Sequence, residues 1–262
     1  MDYQSITVKQ EEEILEIFLN RPEVRNAFNS QLIFELTDIF KTLALSPQVK
    51  VITLRGDGSV FCSGGDVNWM KDSASLSKEE NLKQTHALVS MFRLMNECPK
   101  PIIGAIHGAA IGGGVGLVSV CDIAIATEET IFSLSEVRLG LIPACIAPFV
   151  VSKIGPSFSR ELFISAERFK APKAKAIGLV HHVVEDMAEL KSKLVEQTSS
   201  ILHCGSNAIS SAKELILNLT WPERRLQCAN CYDYCAQMLA DLHISKTKIS
   251  ESLASKLFFK KH

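Results

Sequence analysis

Residues 101–126 read PIIGAIHGAAIGGGVGLVSVCDIAIA. No charge falls in this stretch until Asp122, and six glycines lie between Gly104 and Gly116. The run is apolar enough to suggest a membrane span, but three consecutive glycines at its centre would weaken a spanning helix by roughly 1 kcal/mol each. The pattern fits a buried strand over 101–107, a glycine turn, a helix from about Gly113, and a second buried strand over 122–126. Glycines at a strand-to-helix turn admit a ligand close to the backbone. They also leave N–H groups unpaired at a helix N-terminus, where negative charge is favoured. Such a turn holds an anion, either a phosphate or a transient oxyanion.

Two phosphate-binding readings fail on spacing. The glycines of GAAIGGGVG do not fall at the dinucleotide-binding offsets, and no Lys lies between Lys100 and Lys153 to complete a P-loop. A tight turn with close helix packing is the plain alternative for this segment alone. A second glycine turn, Phe61-Cys62-Ser63-Gly64-Gly65-Asp66, follows the apolar strand 49–54 and precedes a helix-like segment at 67–71, with Asp66 placed to cap it. Two strand–glycine–helix turns that aim N–H groups at one point would make an oxyanion hole.

The 262 residues suffice for one large domain, or for one domain and a small appendage. With 47% apolar and 22% charged residues, the composition is that of a globular enzyme. A net charge of −1 without a long basic run argues against nucleic acid as a partner. The start, MDYQSITV, lacks a basic n-region and an apolar h-region, so no secretory signal is visible and the expected location is cytoplasmic. The eight cysteines are not the framework of a small secreted domain and read as thiols in a reducing compartment. Cys228, Cys231 and Cys235 share a helical face, but no second pair completes a zinc set, so packing explains them and no metal is expected.

Along the chain, 3–8 and 14–19 alternate as paired strands, and 21–26 is a loop. Residues 29–45 place Leu32, Ile33, Leu36, Ile39, Phe40 and Leu43 on one helical face. Residues 73–77 are small and polar, the makings of a mobile loop beside the first glycine turn. A helix over 81–95 carries Leu88, Val89, Phe92 and Met95, which read as core, with an acyl-pocket role for its Met and Phe residues as the alternative. His86 and His107 read as structural. Helices are expected at 146–153, 156–166 and 172–177, a strand at 179–184, and helices throughout from 187. Glu136 is a lone acid in an apolar stretch between Phe132 and Leu141. Burying it demands a partner, such as Arg138 or a helix N-terminus, or a function.

LNRPEVRNAF (19–28), FCSGGD (61–66), HGAAIGGG (107–114) and SEVRLGLIP (135–143) occur in the order of the crotonase, or enoyl-CoA hydratase/isomerase, superfamily, which the chain resembles over roughly residues 5–200. The resemblance implies an α/β fold: a spiral core of repeated ββα units over 1–204, followed by a C-terminal helical oligomerisation region over 205–262. It implies a homotrimer or a dimer of trimers acting on an acyl-CoA thioester, with no cofactor beyond the coenzyme A of the substrate. By position, Gly65 and Gly113 supply the oxyanion-hole N–H groups and Glu136 transfers the proton. Arg25 lies where a basic residue meets CoA phosphates, and Ser63, Gly64, Asp66 and Gly116 fall at substrate-contacting positions.

Hydratases of the superfamily usually carry a second glutamate where this chain has Gly116. Several isomerases manage with the one at the position of Glu136. The segments 116–125 and 135–150 are similar to a bacterial subgroup that hydrates branched glutaconyl thioesters, 3-methylglutaconyl-CoA or isohexenylglutaconyl-CoA. That subgroup shares glycine at the position of Gly116 and the Ala-x-Ile-x-Pro turn of residues 144–148. The leading expectation is a hydratase of a branched or dicarboxylic enoyl-CoA. Its rivals are a Δ3,Δ2-enoyl-CoA isomerase and a catalytically silent acyl-CoA-binding protein. The space freed at Gly116 is expected to take an acyl substituent or an ordered water.

Overall fold

The computed structural model describes residues 3–220. Strands β1 (Ile6–Glu11) and β2 (Ile14–Leu19) form the opening hairpin, followed by α1 (Ser30–Lys41), β3 (Val51–Gly56), α2 (Val67–Ala74) and α3 (Lys78–Asn96). The glycine-rich stretch folds as β4 (Ile102–Ile106), β5 (Ala109–Ile111), α4 (Gly113–Val120) and β6 (Ile123–Thr127). Then come β7 (Ile131–Ser133), α5 (Ala147–Ser165), β8 (Arg168–Lys170), α6 (Ala171–Ala176), β9 (His182–Val184), α7 (Met187–Leu202) and α8 (Ser206–Thr220). One sheet has six strands in the order β1-β2-β3-β4-β6-β9, and a second has three in the order β5-β7-β8. Only the β1–β2 and β7–β8 pairs are antiparallel.

Every residue of β4 is buried, which explains its unbroken apolar sequence. Ile102 and Ile106 enter the main core, while Ile103 and Ala105 face the other way, against Leu190 and Leu194 of α7. The parallel pairing of β4 with β3 and β6 delivers the glycine turns to the same end of the sheet. An isolated parallel bridge, Cys62 to Ala110, ties the first turn to the second sheet.

Several expectations are corrected at short elements. β5 and β8, three residues each, were not expected: the sequence between His107 and Gly113 reads as turn, and β8 falls in the short gap between the helices expected at 156–166 and 172–177. α1 stops at Lys41, so Leu43 falls in a following 3₁₀ turn and is 39% exposed instead of joining the core. Ser73 belongs to α2 and is buried, so no free loop spans 73–77. Ser77 is instead the N-cap of α3, with a complete capping box to Glu80. α5 is broken at Gly155 (φ 75°) beside Pro156, which matches the two helices expected there. The cysteine cluster at 228–235 and the helices expected beyond residue 220 lie outside the described residues.

Candidate active site

The first turn is held from three sides. Asn26 donates through Nδ2 to the carbonyls of Asp57 (2.8 Å) and Val60 (2.9 Å), which pins the 21–28 loop against the end of β3. Phe28 N donates to Gly64 O (2.7 Å) and Asp66 N to Phe28 O (2.9 Å). In this parallel bridge Phe28 uses the residues on either side of Gly65, so the N–H of Gly65 itself points away. Gly64 adopts φ 91°, a conformation that costs a residue with a Cβ, and a Cβ there would lie 2.9 Å from Ile111 O.

The second turn is built differently. Gly112 caps α4 at φ 51°, donates to Ser133 O (2.8 Å) and accepts from Val115 N (2.9 Å). Gly113 is the first helical residue, whose N–H has no partner within a helix. Among the described residues, neither Gly65 N nor Gly113 N has a hydrogen-bond acceptor.

Both groups line one cavity of about 120 Å³, together with Glu136, Phe28, Trp69, Met70, Leu88 and the 141–146 segment. Glu136 opens a 3₁₀ turn, Glu136–Leu139, and its carboxylate lies against Gly112: a Cβ on that glycine would be 2.9 Å from Oε1. Oε2 is buried with no hydrogen-bond partner, so neither Arg138 nor a helix N-terminus satisfies it. Burial pushes the Glu136 pKa from 4.5 up to about 7, outweighing a hydrogen bond from its own backbone N–H. A carboxylate with that pKa exchanges protons readily near neutrality.

The structure thus brings Gly65, Gly113 and Glu136 together and leaves the other sequence candidates outside the cavity lining. Arg25 is exposed on its loop, its carbonyl accepting from Ser63 N at 3.0 Å. Ser63 Oγ turns to Val24 O (3.4 Å). Asp66 is a structural group: Oδ1 accepts from Asn68 N (2.9 Å), and Oδ2 pairs with Arg21 (3.1 Å). The expectation of free space at Gly116 is wrong. A Cβ there would lie 2.4 Å from Ile146 Cγ2 and 2.9 Å from the Phe92 ring, so packed hydrocarbon fills the place.

Sequence reasoning missed Ser73, Asn81, Gln84 and Thr85, which line the cavity from α2 and α3. The last three recur at i, i+3 and i+4, in register with Leu88 and Phe92, and that spacing was the available signal. Among the described residues no group of His, Cys, Asp and Glu is placed to hold a metal ion, and no helix is long and apolar enough to cross a membrane.

The enoyl-CoA hydratase/isomerase family profile matches residues 9–254. The enoyl-CoA hydratase AKT6-1 of Alternaria alternata is 36% identical over 70% of this chain, a match that spans 60% of that protein's own length. The peroxisomal Delta(3,5)-Delta(2,4)-dienoyl-CoA isomerase of Arabidopsis thaliana is 28% identical over 95% of this chain and 91% of its own. Among solved structures, Pseudomonas aeruginosa AtuE superposes with a TM-score of 0.80 at 32% identity, covering 87% of this chain and 91% of that one. The chain belongs to the enoyl-CoA hydratase/isomerase family and has its α/β crotonase fold. Hydratase and isomerase names both occur among its relatives.

Proposed function

We propose that this protein hydrates the C2=C3 double bond of a short, branched or dicarboxylic acyl-CoA thioester of the 3-methylglutaconyl type. The observation that carries the reading is the buried Glu136 carboxylate, whose Oε2 has no partner, in the same cavity as the two glycines with unpaired N–H groups. The thioester oxygen would sit between Gly65 N and Gly113 N, which hold the enolate charge. The ionised Glu136 takes a proton from water as the water oxygen bonds to C3, and the protonated Glu136 returns that proton to C2 of the enolate as the thioester carbonyl re-forms. The substrate class rests on the similarity of segments 116–125 and 135–150 to the glutaconyl-thioester subgroup. Coenzyme A enters as part of the substrate, with Arg25, exposed on its loop, as a phosphate contact. A homotrimer or dimer of trimers, with 1–204 as core and 205–262 as helical region, belongs to the same proposal.

One observation favours a second reading. Glu136 is the only carboxylate among the described residues lining the cavity, and Ile146 with Phe92 fills the place beside Gly116. A single base suffices to carry a proton between C4 and C2, which is the chemistry of an enoyl-CoA isomerase. Turnover in isotopically labelled water separates the two. Hydration places one labelled oxygen in the product of 3-methylglutaconyl-CoA. Isomerisation of a C2-deuterated 3-enoyl-CoA carries deuterium to C4 and fixes no oxygen. Tight thioester binding with neither product would identify a silent binding protein and sink both readings.

A further inference from the structure

Most of the cavity wall is hydrocarbon, supplied by Phe28, Leu88, Leu141, Ile142 and Ile146, but one corner is polar. There Ser73 Oγ lies 2.8 Å from Gln84 Oε1 and 2.8 Å from Trp69 O. A hydroxyl has one proton to give. Trp69 O sits inside α2, where the helical ladder also serves it, so the proton is best spent on Gln84. Ser73 is buried, and this contact holds Oε1 of Gln84, itself a cavity-lining residue, which leaves Nε2 as the free end of the amide. The neighbouring groups are committed elsewhere. Asn81 Nδ2 donates to Leu76 O (3.3 Å), and Thr85 Oγ1 donates to Asn81 O (2.8 Å). Among the described residues Gln84 Nε2 has no acceptor. An amide donor in an apolar cavity disfavours ligands that leave it unpaired.

We infer that Gln84 is a specificity residue: oriented by Ser73, its amide N–H donates to an oxygen carried by the acyl chain away from the thioester. The inference rests on the reading that this cavity takes the acyl chain, and it names the feature of the chain that is selected. It also supplies the polar partner that the filled space at Gly116 cannot. No cation lines the cavity among the described residues, so the recognised chemistry is a hydrogen-bond-accepting oxygen, whether of a carboxylate or of a ketone.

The test is equilibrium binding of unreactive CoA esters of one chain length to the full-length protein: glutaryl-CoA, 4-oxopentanoyl-CoA and valeryl-CoA. The wild type should bind at least one of the first two about tenfold more tightly than valeryl-CoA, the scale of one buried hydrogen bond. Gln84→Leu should bring that ratio to within about twofold by weakening the oxygenated ester alone. Ser73→Ala, which keeps the amide but frees its orientation, should lower the ratio part of the way and guards against misfolding of the first variant. Gln84→Glu separates the two oxygen sources, because its charge opposes glutaryl-CoA while sparing valeryl-CoA. A wild type that does not discriminate, or a ratio unchanged in both Gln84→Leu and Ser73→Ala, overturns the inference. Enoyl-thioester turnover is scored separately: hydration can fail while the binding ratio stands, and the ratio can fail while hydration is fast.

Discussion

The two glycine turns present the same group, an unpaired N–H, to one cavity, yet different things hold them. The first, at 61–66, is tied to the 21–28 loop by Phe28, Arg21 and Asn26 and makes no hydrogen bond to Glu136 among the described residues. The second, at 107–114, is tied to Ser133 and lies directly against the Glu136 carboxylate, so that Gly112 and Glu136 share one space. The first turn therefore depends on its scaffold and the second on the fit of the acid. Substitutions in the second should damage chemistry before stability, and substitutions behind the first should do the reverse.

The largest effect is expected at Glu136. Glu136→Gln should lower kcat by about 10²-fold or more while CoA-ester binding persists, the usual scale for an acid–base group. In the wild type kcat/KM should fall about tenfold per pH unit below about 7, because the base must be ionised. Stability follows the opposite sense. The native state holds a proton on Glu136 up to about pH 7, while the unfolded chain releases it near 4.5. Stability is therefore lost as pH rises through that window, by on the order of 3 kcal/mol, and changes no further above it. Glu136→Gln lacks this loss and should unfold at higher denaturant than the wild type at pH 8. A variant with near wild-type turnover, or with an unchanged pH dependence of unfolding, removes Glu136 from the mechanism.

Next in size is the direct contrast between the turns. Gly112→Ala meets Glu136 Oε1 at 2.9 Å and sits at φ 51°, so it must displace the carboxylate or strain the turn. A displacement of this kind should cost about 10- to 100-fold in kcat. Gly65→Ala meets only the flexible side chain of Met70, Sδ at 2.9 Å and Cγ at 3.3 Å, and its φ is not positive. It should stay within roughly threefold of wild type, since Met side chains yield readily. Equal losses at the two positions would mean that the asymmetry of the turns has no functional consequence.

How much of this was legible depended on the length of the signal. β4, α4 and β6 were readable because both faces of β4 are buried and the glycines stand where sheet passes into helix. β5 and β8 are three residues long, too short for alternation to register, and they exist because the second sheet pairs them with β7. Ser73 looked like loop by composition, since the partner of its hydroxyl, Gln84 Oε1, lies on the next helix and gives no sign of itself in the local sequence. Glu136 was found as a lone acid among apolar neighbours. The filling of the Gly116 site was not, because Ile146 arrives from a turn thirty residues away. A missing side chain in sequence is not a missing volume in a packed core.

The smallest expected effect lies behind the first turn, at Asp66. Its sequence position suggested a substrate contact, but one oxygen caps α2 through Asn68 N and the other holds Arg21. Arg21 also donates to Ala27 O at 2.5 Å, so its guanidinium keeps one partner when the carboxylate is removed. Asp66→Ala should therefore cost about 1–2 kcal/mol of stability, mostly the lost cap with part of a sheltered ion pair. Asp66→Asn keeps an oxygen for the cap and should recover about half of that loss. Activity at saturating substrate should fall less than in Gly112→Ala, because Gly65 N is still aimed by its bridge to Phe28. The measurement is chemical denaturation alongside kcat for both variants. Should Asp66→Ala fold with wild-type stability yet lose more kcat than Gly112→Ala, the carboxylate would be acting on substrate, and the division of labour between the two turns would have to be reversed.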